Sequence, residues 1–249
     1  MKYPDDFLNK IIQGDCLEVM KIFADKSFDM ILADLPYGTT ACKWDTIIPF
    51  EPLWAQYKRI IKDNGAIVLT ASQPFTSALV MSNIKMFKYE WIWEKENAPT
   101  GLHAKTQPMK AHENVLVFGG NKYNPQKTKG HKNAPSGKNK SSEIYGETKA
   151  KQKYSIDKSG ERYPKSIQKF NNVWRSERYH PTQKPVALFE YLIKTYTSEG
   201  ELILDNVAGS GTTGVACKNL KRNFILIEKD PEYCKLAEQR IAQYQSPML

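Results

Sequence analysis

Short apolar runs alternate with segments of helical periodicity along the first 90 residues of the chain. The segments that predict strands are "NKIIQGD", "SFDMILAD" and "AIVLTAS". The segments that predict helices are "CLEVMKIFAD", "EPLWAQYKRIIKDNG" and "PFTSALVMSNIKM". Pro52 stands near the start of the second helix and Gly65 at its end, as helix termini favour. Strands that alternate with helices predict an α/β fold with a parallel sheet covered on both faces.

The same alternation returns from Val173 onwards. The segment "KPVALFEYLIKTYT" predicts a helix whose apolar face consists of Val186, Phe189, Leu192, Ile193 and Tyr196. The elements predicted after it are a strand "ELILD", a helix "VACKNLK", a strand "NFILIEKD" and a helix "PEYCKLAEQRIAQY". Asp230 as N-cap and Pro231 at the first helical position start the last helix.

The middle of the chain differs in composition from both ends. Two strand-like runs, "KYEWIWEK" and "HENVLVFG", are joined by the polar stretch Glu96 to Ala111. From Asn121 to Ser166 the chain is rich in Lys, Ser, Gly and Asn and poor in aliphatic residues, which predicts an insertion rather than a core segment. We therefore divide the chain into residues 1–120, an insertion at residues 121–172, and residues 173–249.

The net charge of +9 is confined to this insertion. Residues 121–170 hold 13 Lys/Arg and 4 Asp/Glu, whereas the rest of the chain holds 23 of each sign. A neutral body with one basic segment predicts an electrostatic site for a polyanion. The alternative is a solvated loop whose lysines serve only solubility.

The four cysteines and four histidines exclude several classes of site. Cys16, Cys42, Cys217 and Cys234 form no CxxC pair and do not cluster with histidines, which argues against a metal site and a disulfide framework. We expect a reduced, cytoplasmic compartment. The apolar runs fall far short of the ~20 residues that a membrane span requires, so no membrane association is expected.

A glycine-rich turn predicts a cofactor site. The segment "GSGTTG", Gly209 to Gly214, follows a predicted strand and opens a helix, and Glu228 ends the next strand 19 residues after Gly209. Glycines let the backbone approach a ligand closely, and an acid at the second strand tip can hold two ribose hydroxyls. The pattern indicates a cofactor that contains adenosine; the plain alternative is a tight turn beside a charged strand end.

Asp205 helps to choose between two such cofactors, NAD and S-adenosylmethionine. It ends the strand before the turn, where a dinucleotide pyrophosphate would arrive and be repelled by a carboxylate. The amino group of S-adenosylmethionine would instead be attracted. The sequence therefore favours the methyl donor, and an NAD(P)-dependent oxidoreductase stays as a rival.

The segment "ADLPYGTT" ends the second predicted strand in a way that a core strand would not. Proline removes a ladder donor and glycine favours a turn, so this strand end is expected to face a ligand. The Asp34 carboxylate and the Leu35 carbonyl can accept the two N–H groups of an exocyclic amine and direct its lone pair at a methyl donor. Pro36 would stiffen the turn, and Tyr37 would stack on a base drawn out of its duplex. Taken singly, a turn acid and a packed surface aromatic are the alternatives.

With these segments in this order, the chain resembles the amino-group DNA methyltransferases, which modify adenine N6 or cytosine N4. Their catalytic motif reads Asp-Pro-Pro-Tyr or Ser-Pro-Pro-Tyr; the candidate catalytic residues here are Asp34, Leu35, Pro36 and Tyr37. The order of the segments is similar to that of the beta subgroup. The resemblance implies a Rossmann-like sheet with helices on both faces, a catalytic half at residues 1–120, a target-recognition insertion at 121–172 and a cofactor-binding half at 173–249.

The resemblance also implies further site residues. "GDC" matches the segment in which an acid, here Asp15, meets the cofactor's adenine. "HPTQKP" implies that Thr182 and Lys184 lie near the methionine carboxylate, while His180 is either part of the site or a structural cap. The cofactor-binding residues implied are Asp15, Cys16, Thr182, Lys184, Asp205, Asn206, Ala208, Gly209, Ser210, Gly211, Thr212, Thr213 and Glu228.

Two departures from the family pattern carry expectations of their own. Leu35 replaces a proline but keeps its carbonyl, so the chemistry should survive with a looser turn. Asn206 and Val207 replace the usual Pro-Phe of the cofactor turn, which is expected to alter cofactor affinity.

The substrate expected from the resemblance is DNA. A motif that begins with Asp points to adenine N6, with cytosine N4 as the alternative. The aromatic residues among the lysines of the insertion, expected to face DNA, are Tyr123, Tyr145, Tyr154, Tyr163 and Trp174. A homodimer and a cognate restriction enzyme stay open as partners, and a non-catalytic DNA-binding protein stays as a second rival function.

Overall fold

The computed structural model describes residues 6–42, 45–98, 104–129, 160–173, 179 and 182–243. The strands in these ranges are β1 (Lys10–Gln13), β2 (Phe28–Ala33), β3 (Ile61–Ala71), β4 (Phe87–Lys95), β5 (His112–Gly119), β6 (Thr128–Lys129), β7 (Glu161–Arg162), β8 (Ile167–Phe170), β9 (Leu202–Asp205) and β10 (Asn223–Glu228). The helices are α1 (Cys16–Met20), α2 (Phe50–Ile60), α3 (Phe75–Ser82), α4 (Val186–Tyr196), α5 (Thr212–Asn219) and α6 (Pro231–Gln243).

Eight of the described strands form one sheet in the order β1-β10-β9-β2-β3-β5-β4-β8. The strands from β1 to β3 in this order are parallel, and β5 is antiparallel to both of its neighbours, β3 and β4. The parallel sheet predicted from the alternation of strands and helices is confirmed for β1, β2, β3, β9 and β10, and β5 lies outside that alternation. The described residues of the connection from β4 to β5, at 96–98 and 104–111, contain no crossover helix, and strands joined without one pair antiparallel.

The two faces of the sheet carry separate layers of the core. Along β2, Ile31 and Ala33 point to one face, while Met30 and Leu32 point to the other, as the period-2 pleat requires. Helices α1, α2 and α3 pack on the first face, and α4 and α5 pack on the second. Helices on both faces are thus confirmed, and each large aliphatic side chain fully buried there contributes roughly 1.5–3 kcal/mol.

Two predicted features of the helices are found in the structure, the N-cap of α6 and the apolar face of α4, and one, the end of α2, is not. Asp230 caps α6, since its Oδ1 accepts the Glu232 N–H at 2.8 Å. The predicted apolar face of α4 is buried except at Val186, which is half-buried. Gly65, however, does not end α2: the helix stops at Ile60, and Gly65 lies inside β3.

The reason for Gly65 is a close approach between two strands. A Cβ atom at this position would lie 2.8 Å from the Asp29 carbonyl oxygen and 2.7 Å from Ile61 Cδ1. The register of β3 against β2 also shifts here, between Phe28 and Met30. A glycine in a strand marks such irregularities as readily as a glycine marks a helix end.

Pro125–Lys165 form a compact unit of their own, distinct from the unit of Met1–Asn124 and Ser166–Leu249. Within the smaller unit β6 and β7 pair antiparallel, and Lys127 Nζ lies 3.3 Å from Glu161 Oε2. Strand β8, which we placed in the insertion at residues 121–172, pairs with β4 in the main sheet. Tyr145, Tyr154 and Trp174 lie outside the described residues.

Within the described ranges, no helix combines the length and the apolar character needed to cross a lipid bilayer.

The substitution Gly65→Ala is expected to destabilise the protein by about 1–3 kcal/mol, because the added methyl group meets a backbone oxygen that cannot move alone. Urea denaturation measures the change in the free energy of unfolding. The matched control is Asn64→Ala at the exposed neighbouring position, where a change within about 0.5 kcal/mol is expected. Equal effects of the two substitutions would contradict the close approach.

Candidate active site

Acidic side chains collect at one edge of the main sheet, where the parallel strands end. Asp34 directly follows β2, Asp205 ends β9 and Glu228 ends β10. Because β5 runs in the opposite direction, its second residue, Glu113, lies at the same edge. Open α/β sheets bind ligands outside the carboxyl ends of their parallel strands, so this edge is the candidate site.

The Asp34 carboxylate is held by three donors. Its Oδ1 accepts hydrogen bonds from the Tyr37 hydroxyl at 2.8 Å and from the Thr70 hydroxyl. Its Oδ2 accepts from Lys184 Nζ at 2.7 Å. The Asp34 side chain is 23% exposed, so the group is fixed by the protein but still reachable from outside.

Lys184 belongs to a row of alternating charges, which we call the charge chain: Asp34, Lys184, Glu113 and Lys95. Lys184 Nζ lies 3.4 Å from Glu113 Oε2, and Lys95 Nζ contacts the other oxygen of Glu113. Burial acts to lower the pKa of Lys184, but the Asp34 and Glu113 carboxylates outweigh it and raise that pKa. Burial acts to raise the pKa of Glu113, but the Lys184 and Lys95 ammonium groups outweigh it and lower that pKa. Lys184 and Glu113 are therefore both ionised at neutral pH.

The Tyr37 ring lies beside the charge chain. It stacks on Phe75, with 5.3 Å between centroids and 25° between planes, and Lys184 Nζ lies 5.4 Å from the Tyr37 centroid. Burial, together with the carboxylates of Asp34 and Glu113, raises the pKa of Tyr37 well above its ordinary value. The hydroxyl therefore stays protonated and donates to Asp34.

The residues between Asp34 and Tyr37 have different surroundings. Leu35 is buried and packs in the core, and Pro36 is half-buried. No described residue donates a hydrogen bond to the Leu35 carbonyl oxygen. The backbone after Tyr37 is fixed by Asp45, whose carboxylate accepts the N–H groups of Gly38, Thr39 and Thr40 at 2.7–2.9 Å.

The glycine turn is shaped by Glu228 and by two left-handed glycines. Glu228 Oε2 accepts the Gly209 N–H at 2.7 Å, and its Oε1 accepts the Asp230 N–H at 2.9 Å. Gly209 and Gly211 have φ values of +50° and +75°. A Cβ atom at Gly211 would also lie 2.9 Å from the Ala237 Cβ of α6, so the turn requires glycine there.

Asp205 is a buried carboxyl group at the start of this turn, 3% exposed. It accepts the Val207 N–H at 3.1 Å and the Thr213 hydroxyl. Among the described residues, no Lys or Arg forms an ion pair with it. Burial raises the pKa of Asp205 to about 7, against the effect of these two hydrogen bonds. A cationic group bound at this place would neutralise the carboxylate.

Two of the predicted cofactor segments meet beneath the turn. Tyr57 donates its hydroxyl to Asn206 Oδ1 at 2.6 Å, in the core. Burial raises the pKa of the Cys16 thiol, an effect that the Asn206 amide partly offsets. Asp15 caps α1 through the Leu17 N–H at 3.0 Å. The structure thus brings the "GDC" and "DNVAG" segments together.

Arg240 of α6 holds the other polar residues of the turn. Its Nη1 donates to the Ser210 carbonyl at 3.0 Å and to the Ser210 and Thr212 hydroxyls, each at 3.1 Å. Ala208 is buried and its N–H bonds to the Ile227 carbonyl. Thr182 is exposed, and His180 lies outside the described residues.

The sequence prediction named several members of the site and missed others. The sequence prediction missed Thr70 and Tyr57, whose sequence surroundings are those of an ordinary strand and an ordinary helix. It also missed Glu113 and Lys95 of the charge chain. Glu113 did carry a signal, because a carboxylate precedes the apolar run "NVLVFG" directly. The described residues contain no group of three or more His, Cys, Asp or Glu that could hold a metal ion.

A family model described as DNA methylase, covering N6 and N4 methyltransferases, matches residues 28–239. The chain belongs to this family. The matched range contains Asp34, the charge chain and the glycine turn.

Curated relatives of this DNA methylase are similar over nearly the whole chain. Type II methyltransferase M2.MboI of Moraxella bovis is 30% identical and covers 95% of this chain and 88% of its own length. Type II methyltransferase M.HinfI of Haemophilus influenzae is 28% identical, with 96% and 70% covered.

Solved structures of other proteins share the fold. The M1.HpyAVI–SAM complex superposes with a TM-score of 0.63 at 26% identity, covering 93% of this chain and 98% of that one. The cytosine-N4-specific PvuII DNA methyltransferase superposes with a TM-score of 0.64 at 15% identity, covering 96% and 87%. At that identity the second likeness concerns the fold alone, which is the Rossmann-like methyltransferase fold.

The substitution Asp205→Asn is expected to change the pH dependence of stability. Between about pH 3.9, the ordinary value of an unfolded Asp, and the folded-state pKa of about 7, the folded chain binds a proton that the unfolded chain releases. The contribution of Asp205 to stability therefore falls as pH rises through this window, by up to about 1.4 kcal/mol per pH unit.

Because Asn does not titrate, the free energy of unfolding of Asp205→Asn, relative to the unsubstituted protein, should increase from about pH 4.5 to about pH 7.5. Urea denaturation at both pH values measures this difference. A difference that stays constant with pH would show that Asp205 is ionised in the folded protein throughout.

Proposed function

We propose that this protein transfers a methyl group from S-adenosylmethionine to the exocyclic N6 amine of an adenine in DNA, with Asp34 as the catalytic residue. The observation that carries the proposal is the Asp34 carboxylate, held by three donors at the sheet edge that also bears the Gly209–Gly211 turn. Family membership supports the reaction class and decides against an oxidoreductase.

The acceptor groups of the site fit the donor groups of S-adenosylmethionine. That cofactor presents hydrogen-bond donors at its amino group, its ribose hydroxyls and its adenine amine, and the candidate residues Asp205, Glu228 and Asp15 are all acceptors. Asp205 is buried and has no cationic partner among the described residues, so the amino group of the cofactor would supply one. When bound, S-adenosylmethionine supplies a methyl group already activated on a sulfonium.

The chain's own residues then have to present the amine. An ionised carboxylate has about four lone-pair positions, and three donors already fill three of them at Asp34. The fourth accepts one N–H of the target amine, and the Leu35 carbonyl accepts the other. These two bonds draw the nitrogen lone pair out of conjugation with the ring and aim it at the methyl group. Positioning and electrostatic stabilisation supply the rate.

The choice of adenine rests on the motif beginning with Asp, because both amines fit two acceptors equally well. Cytosine N4 is the competing target, and a cytosine-N4-specific enzyme shares the fold. Thr182 and the other residues of the "HPTQKP" segment, the homodimer and the cognate restriction enzyme stay predictions.

The methyl-transfer test compares the unsubstituted protein with Asp34→Ala and with Asp63→Ala, an exposed carboxylate of β3 that serves as control. Radiolabelled S-adenosylmethionine and unmethylated DNA are the substrates, and the products are separated as nucleosides. We expect label in N6-methyladenine, lost by at least about 100-fold in Asp34→Ala and retained in the control.

Label in N4-methylcytosine would overturn the adenine assignment and keep the reaction class. Cofactor binding without any label would overturn DNA as the substrate in favour of RNA or protein, and absence of cofactor binding would favour the non-catalytic DNA-binding alternative.

The basic insertion at residues 121–172 is proposed to bind the DNA backbone. It carries the whole net charge of +9, while the rest of the chain is neutral. In the part that the structure describes, Tyr163 is 67% exposed and Lys127 Nζ lies 5.1 Å from its ring centroid. An exposed aromatic ring beside a cation is a surface on which nucleic acid bases and phosphates both bind.

Replacing four lysines of the insertion by Gln should reduce the salt dependence of DNA binding. The substituted residues are Lys138, Lys140, Lys151 and Lys153. Each lost phosphate contact lowers the slope of log K against log salt by about 0.9. Fluorescence anisotropy across a salt series measures the slope.

The matched control removes the same charge from four exposed lysines elsewhere, Lys58, Lys85, Lys194 and Lys235, and should leave the slope unchanged. If both sets reduce the slope equally, the insertion is not the particular DNA-binding segment.

A further inference from the structure

Lys184 has a partner in the structure that the resemblance did not imply. The "HPTQKP" segment led us to expect Lys184 beside the methionine carboxylate of the cofactor. Its Nζ instead lies between two carboxylates of the protein, 2.7 Å from Asp34 Oδ2 and 3.4 Å from Glu113 Oε2. The side chain is 6% exposed, so solvent does not compete for these contacts.

The two carboxylates on either side of Lys184 also share a second donor. The Tyr37 hydroxyl lies 2.8 Å from Asp34 Oδ1 and 3.4 Å from Glu113 Oε2. Asp34 and Glu113 are therefore close enough to repel each other, and the ammonium group between them offsets that repulsion. Without this cation the repulsion between the two carboxylates is no longer offset on the Asp34 side, which favours uptake of a proton by one of them.

Which state Asp34 adopts matters for its proposed role. An ionised Asp34 accepts an N–H of the target amine, whereas a protonated one carries an O–H that points at a neighbouring acceptor and no longer presents a full charge. Lys184 also fixes Oδ2 in space, while Thr70 and Tyr37 fix Oδ1. These three donors thus determine the direction in which the remaining lone pair of the Asp34 carboxylate points.

We propose that Lys184 and Glu113 are positioning residues for methyl transfer: Glu113 holds the buried Lys184, and Lys184 keeps Asp34 ionised and in one orientation. This inference rests on the proposed catalytic role of Asp34. In this inference Lys184 serves the residue that binds the target amine, Asp34, and does not bind the cofactor.

Other charged groups around this pair come from several elements. Lys95 at the end of β4 contacts Glu113, and Lys110, which precedes β5, interacts with both Glu113 and Lys95. The charge of Asp34 contributes to the raised pKa of Asp205 at the end of β9. The Tyr37 hydroxyl completes the set. Among the described cationic groups, Lys184 alone forms ion pairs with both Asp34 and Glu113.

The experiment uses the full chain in four forms: unsubstituted, Lys184→Met, Lys184→Met/Glu113→Gln, and Lys184→Arg. We measure kcat against pH at saturating cofactor and DNA, and cofactor affinity by calorimetry. In Lys184→Met, kcat near pH 7 should fall by roughly 10- to 100-fold, and its acidic limb should move to higher pH, so that activity recovers as pH rises.

In the double variant a neutral amide replaces the Glu113 carboxylate, so the repulsion between Asp34 and residue 113 is removed. The acidic limb should return toward its original position, and kcat near pH 7 should exceed that of Lys184→Met. Lys184→Arg keeps the cation and should keep the limb in place. Cofactor affinity should stay within about threefold in all forms, which corresponds to less than about 0.7 kcal/mol.

A comparable ion pair outside the site provides the control for general loss of a salt bridge. Lys62 Nζ and Asp29 Oδ1 are 2.8 Å apart, and Asp29 is the more buried of the two side chains. Lys62→Met and Lys62→Met/Asp29→Asn should leave the pH profile of kcat unchanged.

Two results would overturn the proposal. If Lys184→Met weakens cofactor binding strongly and keeps kcat at saturation, Lys184 serves the cofactor. If the double variant is no better than Lys184→Met at any pH, no repulsion between Asp34 and Glu113 is being relieved.

A second readout does not depend on activity. Carbon-13 NMR titration of the Asp34 carboxyl, assigned with Asp34→Asn, should show its pKa raised in Lys184→Met and lowered again in the double variant. An unchanged titration would overturn the inference even if methyl transfer is confirmed. Absence of methyl transfer by the unsubstituted protein would instead overturn the proposed function.

Discussion

The ion pair between Asp34 and Lys184 joins two parts of the chain that are 150 residues apart in sequence. Asp34 follows β2, and Lys184 lies two residues before the start of α4, which packs against the sheet and leads into β9. Because β2 and β9 are neighbours in the sheet, the end of one half of the chain and the start of the other meet at a single edge. The candidate site exists only where these halves adjoin, and the pair fixes their most important contact.

The sheet order explains how the remaining groups reach that edge. Strand β1 lies beyond β10, so Asp15 of the first half joins Glu228 and the glycine turn of the second half. On the other side, the reversed strand β5 carries Glu113 to the edge with its first residues. A wholly parallel arrangement would have placed Glu113 at the opposite edge, away from Lys184. The antiparallel direction of β5 therefore places Glu113 beside Lys184.

Much of the fold and part of the site could be predicted from sequence because their signals are local. The strand ends "ADLPYGTT" and "DNVAGSGTTG" break the apolar period within a few residues, and Asp230 caps its helix within three. Glu113 and Lys184 instead derive their role from each other across 71 positions, and no local pattern records such a pairing. Gly65 was misjudged for a related reason, since the atoms that exclude a side chain there belong partly to the neighbouring strand.

The residues that flank the Pro125–Lys165 unit in sequence are hydrogen-bonded within the larger unit. Before it, the Asn124 N–H bonds to the Thr195 carbonyl at 2.7 Å; after it, Ser166 accepts the Ile92 N–H at 2.8 Å, and β8 continues along β4. The cost of closing a loop between fixed ends grows only slowly with its length. Insertions, deletions and replacements within this segment can therefore occur during evolution without changing the strand register of the main sheet at the candidate site.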